Sequence, residues 1–451
     1  MGASRLYRTG HKYPGQDLRT LDCVQSADLM YFAHLDYAPY KLTRASHVSW
    51  QFENVAFGPT LAAPIGVAAV ATTQNRDNKN PDGSTKDNSQ FYTATKKYVV
   101  AAVNENGQIS RTSGEASAVN DLSLAGNFNT LSWAALPGAE YYVLFASEGD
   151  TSSYGYIGRS ETTKFVDGFV GGNTAIAPDY ADGPRIGENP FDGPGNYPST
   201  VTFHQQRLMW ARTRNAPNAV FGSQSADFEN MDISRPVKPD DALTFGLVAD
   251  RVNAVNELVS LRSLLALTSD GVFSVTGGGE GSALTPTQIV SDRQIGHGVC
   301  RLSPLVVDTV AFYRPNQGST VRTLGYTFEL DGFRSNDVSI FSPHLFDGYG
   351  LIAWAHQREP YSVLWAVRSD GKLLAMTWEQ EQQVWGWTVC EMDGKVEDVA
   401  VITEGRMDRV YLAVRRTLNG VEKVFVGEPR SEEFSSIDPS ERGSPSRSCN
   451  R

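Results

Sequence analysis

The chain has 451 residues, 51 of them acidic and 40 basic, for a formal charge of −11. At roughly 150 residues per domain that is about three units, or one large repeat fold with an addition. A composition of 40% hydrophobic and 20% charged residues, with 41 glycines and 22 prolines, excludes a fibrous or wholly disordered chain. The acidic excess argues against a general duplex-DNA binder, and leaves open only a local basic strip.

Met1 to Tyr13 carry Arg5, Arg8 and Lys12 without an apolar core, so no secretory signal is visible. The longest mainly apolar run, Leu61 to Ala71, falls well short of the ~20 residues of a membrane-spanning helix. Cys23, Cys300, Cys390 and Cys449 lie far apart with no CxxC pair. That spacing fits unpaired thiols in a reducing compartment better than a disulfide or zinc framework.

Short runs of Val, Leu, Tyr and Trp alternate with Asn-Gly and Asp-Gly pairs along the whole chain: Asn106-Gly107, Asp270-Gly271, Asp331-Gly332, Asp347-Gly348, Asp370-Gly371, Asp393-Gly394 and Asn419-Gly420. Such pairs accept the positive φ angles of tight hairpins. A first hairpin is predicted from Leu29-Met30-Tyr31-Phe32 and Lys41-Leu42. The next strong hairpin begins only at Leu208, so something is inserted between them. Residues 61–91 are read as a linker, being polar and turn-rich from Thr72 onwards.

In the insert, Tyr98-Val99-Val100-Ala101-Ala102-Val103 leads into Asn104-Glu105-Asn106-Gly107 as a hairpin. Leu131-Ser132-Trp133, the turn Pro137-Gly138-Ala139, the strand Tyr141–Phe145 and Phe165-Val166-Asp167 follow. This pattern resembles a fibronectin type III or related immunoglobulin-like module over 92–180, with Trp133 filling the space between two sheets. Residues 181–200, rich in proline and glycine, are read as the returning linker.

From there a hairpin recurs. Leu208-Met209-Trp210 precedes Val220-Phe221, Leu264–Leu267 precedes Val272–Val275, and Val310–Tyr313 precedes Val321–Leu324. Val363–Val367 precedes Leu373–Met376, and Val410–Val414 precedes Val421–Phe425. The spacing is about 50 residues, the period of a propeller blade. The fold class predicted is therefore all-β: a β-propeller-like repeat of hairpin units with an inserted immunoglobulin-like sandwich. A sandwich array is the competing all-β arrangement. The propeller-like part takes 1–60 and 201–427. The tail 428–451, rich in Ser, Glu and Arg, is expected to be disordered. One amphipathic helix is predicted over Asp241–Val259, from Leu247, Val248, Val252, Val255 and Leu258.

The chemistry motifs are weak. Gly277–Gly281 is followed by Pro286 and a strand-like Thr287–Val290 rather than a helix, so a hairpin loop outweighs a phosphate cradle. Asp77–Gly83 fails as a calcium loop because Lys79 occupies a ligand position and no Glu closes the site. The seven histidines form no i, i+4 pair, and no Gly-x-Ser-x-Gly elbow occurs. Asp240, Asp241, Glu379 and Glu381 are read as exposed loop carboxylates rather than a glycosidase pair. Trp378, Trp385 and Trp387 are read as inter-blade aromatics, a sugar platform being the alternative. Arg207, Arg212, Arg214, Arg322, Arg358, Arg368, Arg415 and Arg416 cluster around the hairpins and suit surface or inter-blade ion pairs, or contacts with a partner subunit or nucleic acid phosphate, the negative net charge favouring the subunit. No catalytic, cofactor-binding or metal residue is nominated, and no cofactor is expected.

A dispersed but ordered series of stretches resembles the tail nozzle proteins of short-tailed bacteriophages, also called tail tubular protein B or tail stabilisation proteins. The series opens with Gln25-Ser26-Ala27-Asp28-Leu29-Met30-Tyr31, Pro39 and Lys41-Leu42-Thr43-Arg44. Gln206-Arg207-Leu208, Pro217, Phe221-Gly222-Ser223, Leu284-Thr285-Pro286-Thr287, Gln294, Pro304, Gly318, Val321-Arg322, Leu324 and Tyr326 continue it. Asp337, His344-Leu345, Gln357-Arg358-Glu359-Pro360, Trp365, Asp370-Gly371, Leu373-Leu374, Thr377 and Val414-Arg415-Arg416-Thr417 complete it. The resemblance covers about 20–60 and 185–427.

It implies a non-enzymatic virion protein in a hexameric ring below the portal and adaptor. That ring continues the DNA ejection channel without specific DNA binding and supports fibres or spikes. It also implies residence in the virion tail, after assembly in the host bacterial cytoplasm. Family chains usually extend further at both ends, so a truncated or split gene product, or a prophage remnant, is expected. The alternative from a different class is a carbohydrate-binding or carbohydrate-cleaving β-propeller acting at the host cell surface.

Overall fold

The computed structural model describes residues 12–57, 61–74, 82, 84, 93–105, 107–148, 153–174, 189–234, 237–248, 253–278, 282–380, 382 and 384–429. The chain is all-β, built from propeller-like sheets of antiparallel neighbours with an immunoglobulin-like insert. The described residues form two units: one lies within 12–14, 23–246 and 282–289, the other within 15–22, 247–278 and 290–429. Among the described residues no helix is long and apolar enough to cross a membrane.

The first unit begins with a four-stranded sheet, β1 (Asp22–Ser26), β2 (Leu29–His34), β3 (Tyr37–Ser46) and β4 (Ser49–Asn54), in that order. The insert follows as β5 (Ala68–Thr72), β6 (Ala94–Val103), β7 (Ala116–Asn120), β8 (Phe128–Ser132), β9 (Tyr141–Glu148), β10 (Gly155–Ser160) and β11 (Lys164–Asp167). These form sheets β10-β9-β6-β7 and β11-β8-β5, the seven-strand count of a constant-type immunoglobulin sandwich. β5 lies inside the 61–91 stretch read as a linker, because its short Ala/Val run pairs with β8 residue for residue. A second four-stranded sheet closes the unit: β12 (Thr200–His204), β13 (Arg207–Ala211), β14 (Ala219–Gly222) and β15 (Leu243–Gly246).

Trp133 does fill the sandwich. It is buried with Leu131, Tyr98, Val100 and Leu144, and its ring meets Tyr142 edge-on at 5.2 Å. One end of that core is ionic. Lys96 and Asp167 are 5% and 0% exposed, with Nζ and Oδ2 2.9 Å apart. The Tyr98 hydroxyl donates to the same oxygen at 2.8 Å and itself accepts from Asn129 Nδ2 at 2.7 Å. Val170 N donates to Asp167 Oδ1, and Lys96 Nζ donates to Val170 O. A buried pair survives only when every lone pair and proton has such a partner.

The second unit holds four sheets in succession. They are β16 (Val255–Ser260), β17 (Leu264–Thr268), β18 (Val272–Thr276) and β19 (Val290–Ile295); then β20 (Leu305–Val307), β21 (Val310–Tyr313), β22 (Arg322–Thr327) and β23 (Gly332–Asp337). After a single helical turn, α1 (Pro343–Phe346), come β24 (Leu351–Gln357), β25 (Val363–Arg368), β26 (Leu373–Glu379) and β27 (Val384–Cys390). The last sheet has three strands, β28 (Lys395–Glu404), β29 (Met407–Leu418) and β30 (Val421–Gly427).

Each hairpin predicted outside the insert is the second and third strand of a sheet, in the first unit as in the second. The apolar runs of strands such as β17 and β21 suit a strand covered on both faces. On β21, Val310 and Phe312 enter the core shared with β24–β26, while Ala311 and Tyr313 enter the core shared with β16–β18. On β25, Leu364 and Ala366 face one neighbouring sheet, and Val367 with Trp365 faces the other. Asn419 and Gly420, with φ of 52° and 79°, form the two-residue turn that joins β29 to β30. Gly371 has φ +91°, and a Cβ there would meet Lys395 Cβ at 2.7 Å, so the Asp370-Gly371 turn seats against the start of β28.

The helix predicted over Asp241–Val259 is not formed. Leu243–Gly246 is β15 and Val255–Ser260 is β16. Gly246 and the β-branched valines disfavour a helix there, and pairing with β14 and β17 decides the matter. Most of Asp77–Gly83, Gly279–Gly281, residues 181–188 and the tail beyond Pro429 lie outside the described residues.

Two outcomes follow from these buried groups. Lys96→Met leaves the Asp167 carboxylate buried without its cation and is expected to destabilise the protein by about 3–5 kcal/mol, read from chemical denaturation. The second concerns His204 at the end of β12, whose imidazole is buried and whose pKa is pushed down to about 4 by that burial. The unfolded ring takes its proton near the ordinary value of about 6.5, so between these values the unfolded state binds more protons. Its contribution is full above about pH 6.5 and is lost as pH falls toward 4, by up to roughly 3 kcal/mol. Urea midpoints across that interval should fall in the wild type and flatten in His204→Gln.

Candidate functional site

A cleft of about 1270 Å³ opens on the second unit, above the ~300–1,000 Å³ of ordinary small-molecule sites. Three consecutive sheets build it. The β16–β17 turn supplies Arg262, the β20–β21 turn supplies Asp308 and Thr309, and β22 and β23 supply Tyr326 and Asn336. The segment after β23 supplies Ile340 and Phe341, and the paired ends of β26 and β27 supply Trp378 and Trp385.

The aromatic wall is continuous with the core. Trp378, 8% exposed, meets Phe312 edge-on at 5.0 Å and Trp385 at 5.6 Å with planes tilted by 36°. Among the described residues neither indole N–H of that pair has an acceptor. Across the cleft the Arg262 guanidinium lies over the Tyr326 ring, 4.3 Å from its centroid. The Tyr326 hydroxyl donates to Asp331 Oδ1 at 2.8 Å and the ring touches Phe333 at 5.9 Å. Phe333 N donates to Gln294 Oε1 at 3.1 Å, which ties β23 to β19. Asp337 Oδ1 accepts from both Ser339 N and Oγ, at 2.8 and 2.7 Å, and fixes the bend that carries Ile340 and Phe341 outward. Phe341 is 82% exposed at the rim. A smaller polar cavity of about 220 Å³ adjoins through Arg262, Tyr326 and Phe333 and is lined by Ser263, Ser274 and Asp292.

Of the three tryptophans considered for a platform, Trp378 and Trp385 line the cleft. Trp387 is an inter-sheet residue, its Nε1 donating to Val338 O at 3.0 Å and its ring against Phe346 at 5.1 Å. The carboxylates do not pair. Asp241 is buried and accepts from Ser234 N, Ser234 Oγ and Lys238 N. Asp240 and Glu379 are exposed, and Glu381 lies outside the described residues. Among the described residues no three His, Cys, Asp or Glu side chains gather to hold a metal ion.

The arginines divide. Arg207 is buried and donates to the carbonyls of Ser223, Asp241 and Pro239 at 2.5–2.7 Å. Arg368 is buried between Asp370, Leu345 O and the Tyr349 ring. Arg415 is the surface kind, paired with Glu397 and Glu422.

No protein-family model and no curated protein matches the chain. Among solved structures it is similar to a crystal structure of a Lactobacillus plantarum protein, at 11% identity and TM-score 0.30, over 73% of this chain and 95% of that one. It is also similar to apo AztD from Citrobacter koseri, at 9% identity and TM-score 0.29, over 74% and 92%.

Trp378 joins the cleft to the core, so Trp378→Ala is expected to destabilise by about 3–5 kcal/mol. Trp385→Ala, at a partly exposed position, should have a clearly smaller effect. Thermal unfolding of both variants checks the order.

Proposed function

We propose that the chain is a structural, non-enzymatic component of a short-tailed phage tail, a subunit of the nozzle ring below the portal and adaptor. The observation that carries this reading is where the resembling residues sit: they are joints of the framework. In Gln206-Arg207-Leu208 and Phe221-Gly222-Ser223, Arg207 gathers three loop carbonyls and Ser223 Oγ accepts from Leu208 N at 3.0 Å. In Gln357-Arg358-Glu359-Pro360, the Gln357 side chain binds Trp365 Nε1 and Asp408 O, and Arg358 N donates to Asp408 Oδ2. These contacts bind the β24–β25 loop to the β28–β29 turn. A chain whose family likeness lies in its joints is suited to bearing load and contact.

The last sheet supports assembly as well. All seven residues of β30 are exposed, with Val421 and Phe425 on one face and Val424 and Val426 on the other. A free strand edge with apolar side chains on both faces favours pairing with another chain. The formal charge of −11 suits a channel wall to which DNA phosphates do not adhere. In this reading the chain forms a hexamer, contacts adaptor and fibre or spike proteins, and lets DNA pass without specific binding.

Electron microscopy of the purified chain, alone and with a portal–adaptor complex, tests the proposal. Rings, or density added beneath the adaptor, are expected. A chain that stays monomeric and leaves the portal–adaptor complex undecorated overturns it, as does hydrolysis of host polysaccharide by the purified chain.

A further inference from the structure

The cleft carries an inference of its own. We propose that it binds a pyranose oligosaccharide. Such a ligand has two kinds of surface: axial C–H faces that lie on aromatic rings, and a rim of hydroxyls that bond in the ring plane. The cleft offers both. The partly exposed Trp385, backed by the buried Trp378, forms one wall, and Phe341 stands exposed at the rim. Exposed Asp308, Thr309, Arg334 and Asn336 surround them, supplying acceptors and donors for hydroxyl groups.

The volume of about 1270 Å³ leaves room for several sugar units rather than one. Two arginines, Arg262 and Arg334, are matched by two aspartates, Asp308 and Asp337. That balance does not favour a polyphosphate such as nucleic acid, which needs a basic excess along its path.

The test uses the full chain and three probes: maltohexaose, cellohexaose and hexagalacturonate. Tryptophan fluorescence is titrated and ligand binding is checked by saturation-transfer NMR. At least one hexasaccharide should give a saturable change, the two neutral probes and the acidic one separating hydroxyl from carboxylate recognition. The variant Phe341→Ala/Arg334→Gln alters two exposed side chains. It should weaken binding about tenfold or more, equal to the loss of one or two good contacts, with an unchanged melting temperature and unchanged ring formation. No saturable change with any of the three at about 10 mM, a concentration that detects even millimolar affinity, overturns the proposal. So does a double variant that binds as the wild type does. Rings with no sugar binding would remove this inference and leave the tail reading intact. Sugar binding by a chain that never assembles would do the reverse.

Discussion

A four-stranded antiparallel sheet has two faces and can cover neither by itself. That constraint organises the molecule. The most deeply buried middle strands carry apolar side chains on both faces because alternate side chains go to opposite neighbours, as on β21, where Val310 and Phe312 serve one core and Ala311 and Tyr313 the next. Stability in the second unit is therefore a chain of shared cores in which each sheet is both filler and wall. The insert solves the same problem differently, closing two sheets on each other around Trp133 and sealing one end with the Lys96–Asp167 pair.

The same constraint explains what could be read before the structure. The hairpins were legible because strands covered on both faces are written as unbroken apolar runs. Their flanking strands were not, because β1, β4 and β19 carry mixed residues such as Asp22-Cys23-Val24-Gln25-Ser26 and lie half in solvent. Over Asp241–Val259 a helical spacing of Leu and Val proved to be the end of one sheet and the start of the next, since periodicity in valine-rich sequence does not separate the two. The cleft was hidden for a different reason. Its residues come from turns and strand ends of three sheets, so no local motif announces it, and only the aromatic density at Trp378 and Trp385 pointed that way.

The arginines were expected to make ion pairs at the surface or between blades, or contacts with a partner, and the actual use of the buried ones is informative. Arg207 and Arg368 begin and end core strands, and each turns its guanidinium onto loop carbonyls. A planar group with five donors can satisfy several stranded acceptors at once, which lysine cannot. In a fold with short strands and long connections, such a group serves as a keystone for backbone that has no ladder to join.

The site where the guest domain leaves and rejoins its host has a consequence for how the protein can change. The chain departs the first sheet past Val55 and Phe57 and returns at Phe191, and the rings of Phe57 and Phe191 touch edge to face at 5.1 Å, in the same apolar cluster as Trp210. Both doorposts thus belong to the host's own core. Whatever lies between them closes a loop whose ends already meet, and loop-closure entropy rises only slowly with length. The host is thereby built to exchange one guest for another, or to dispense with it, while its own hydrophobic accounts stay balanced.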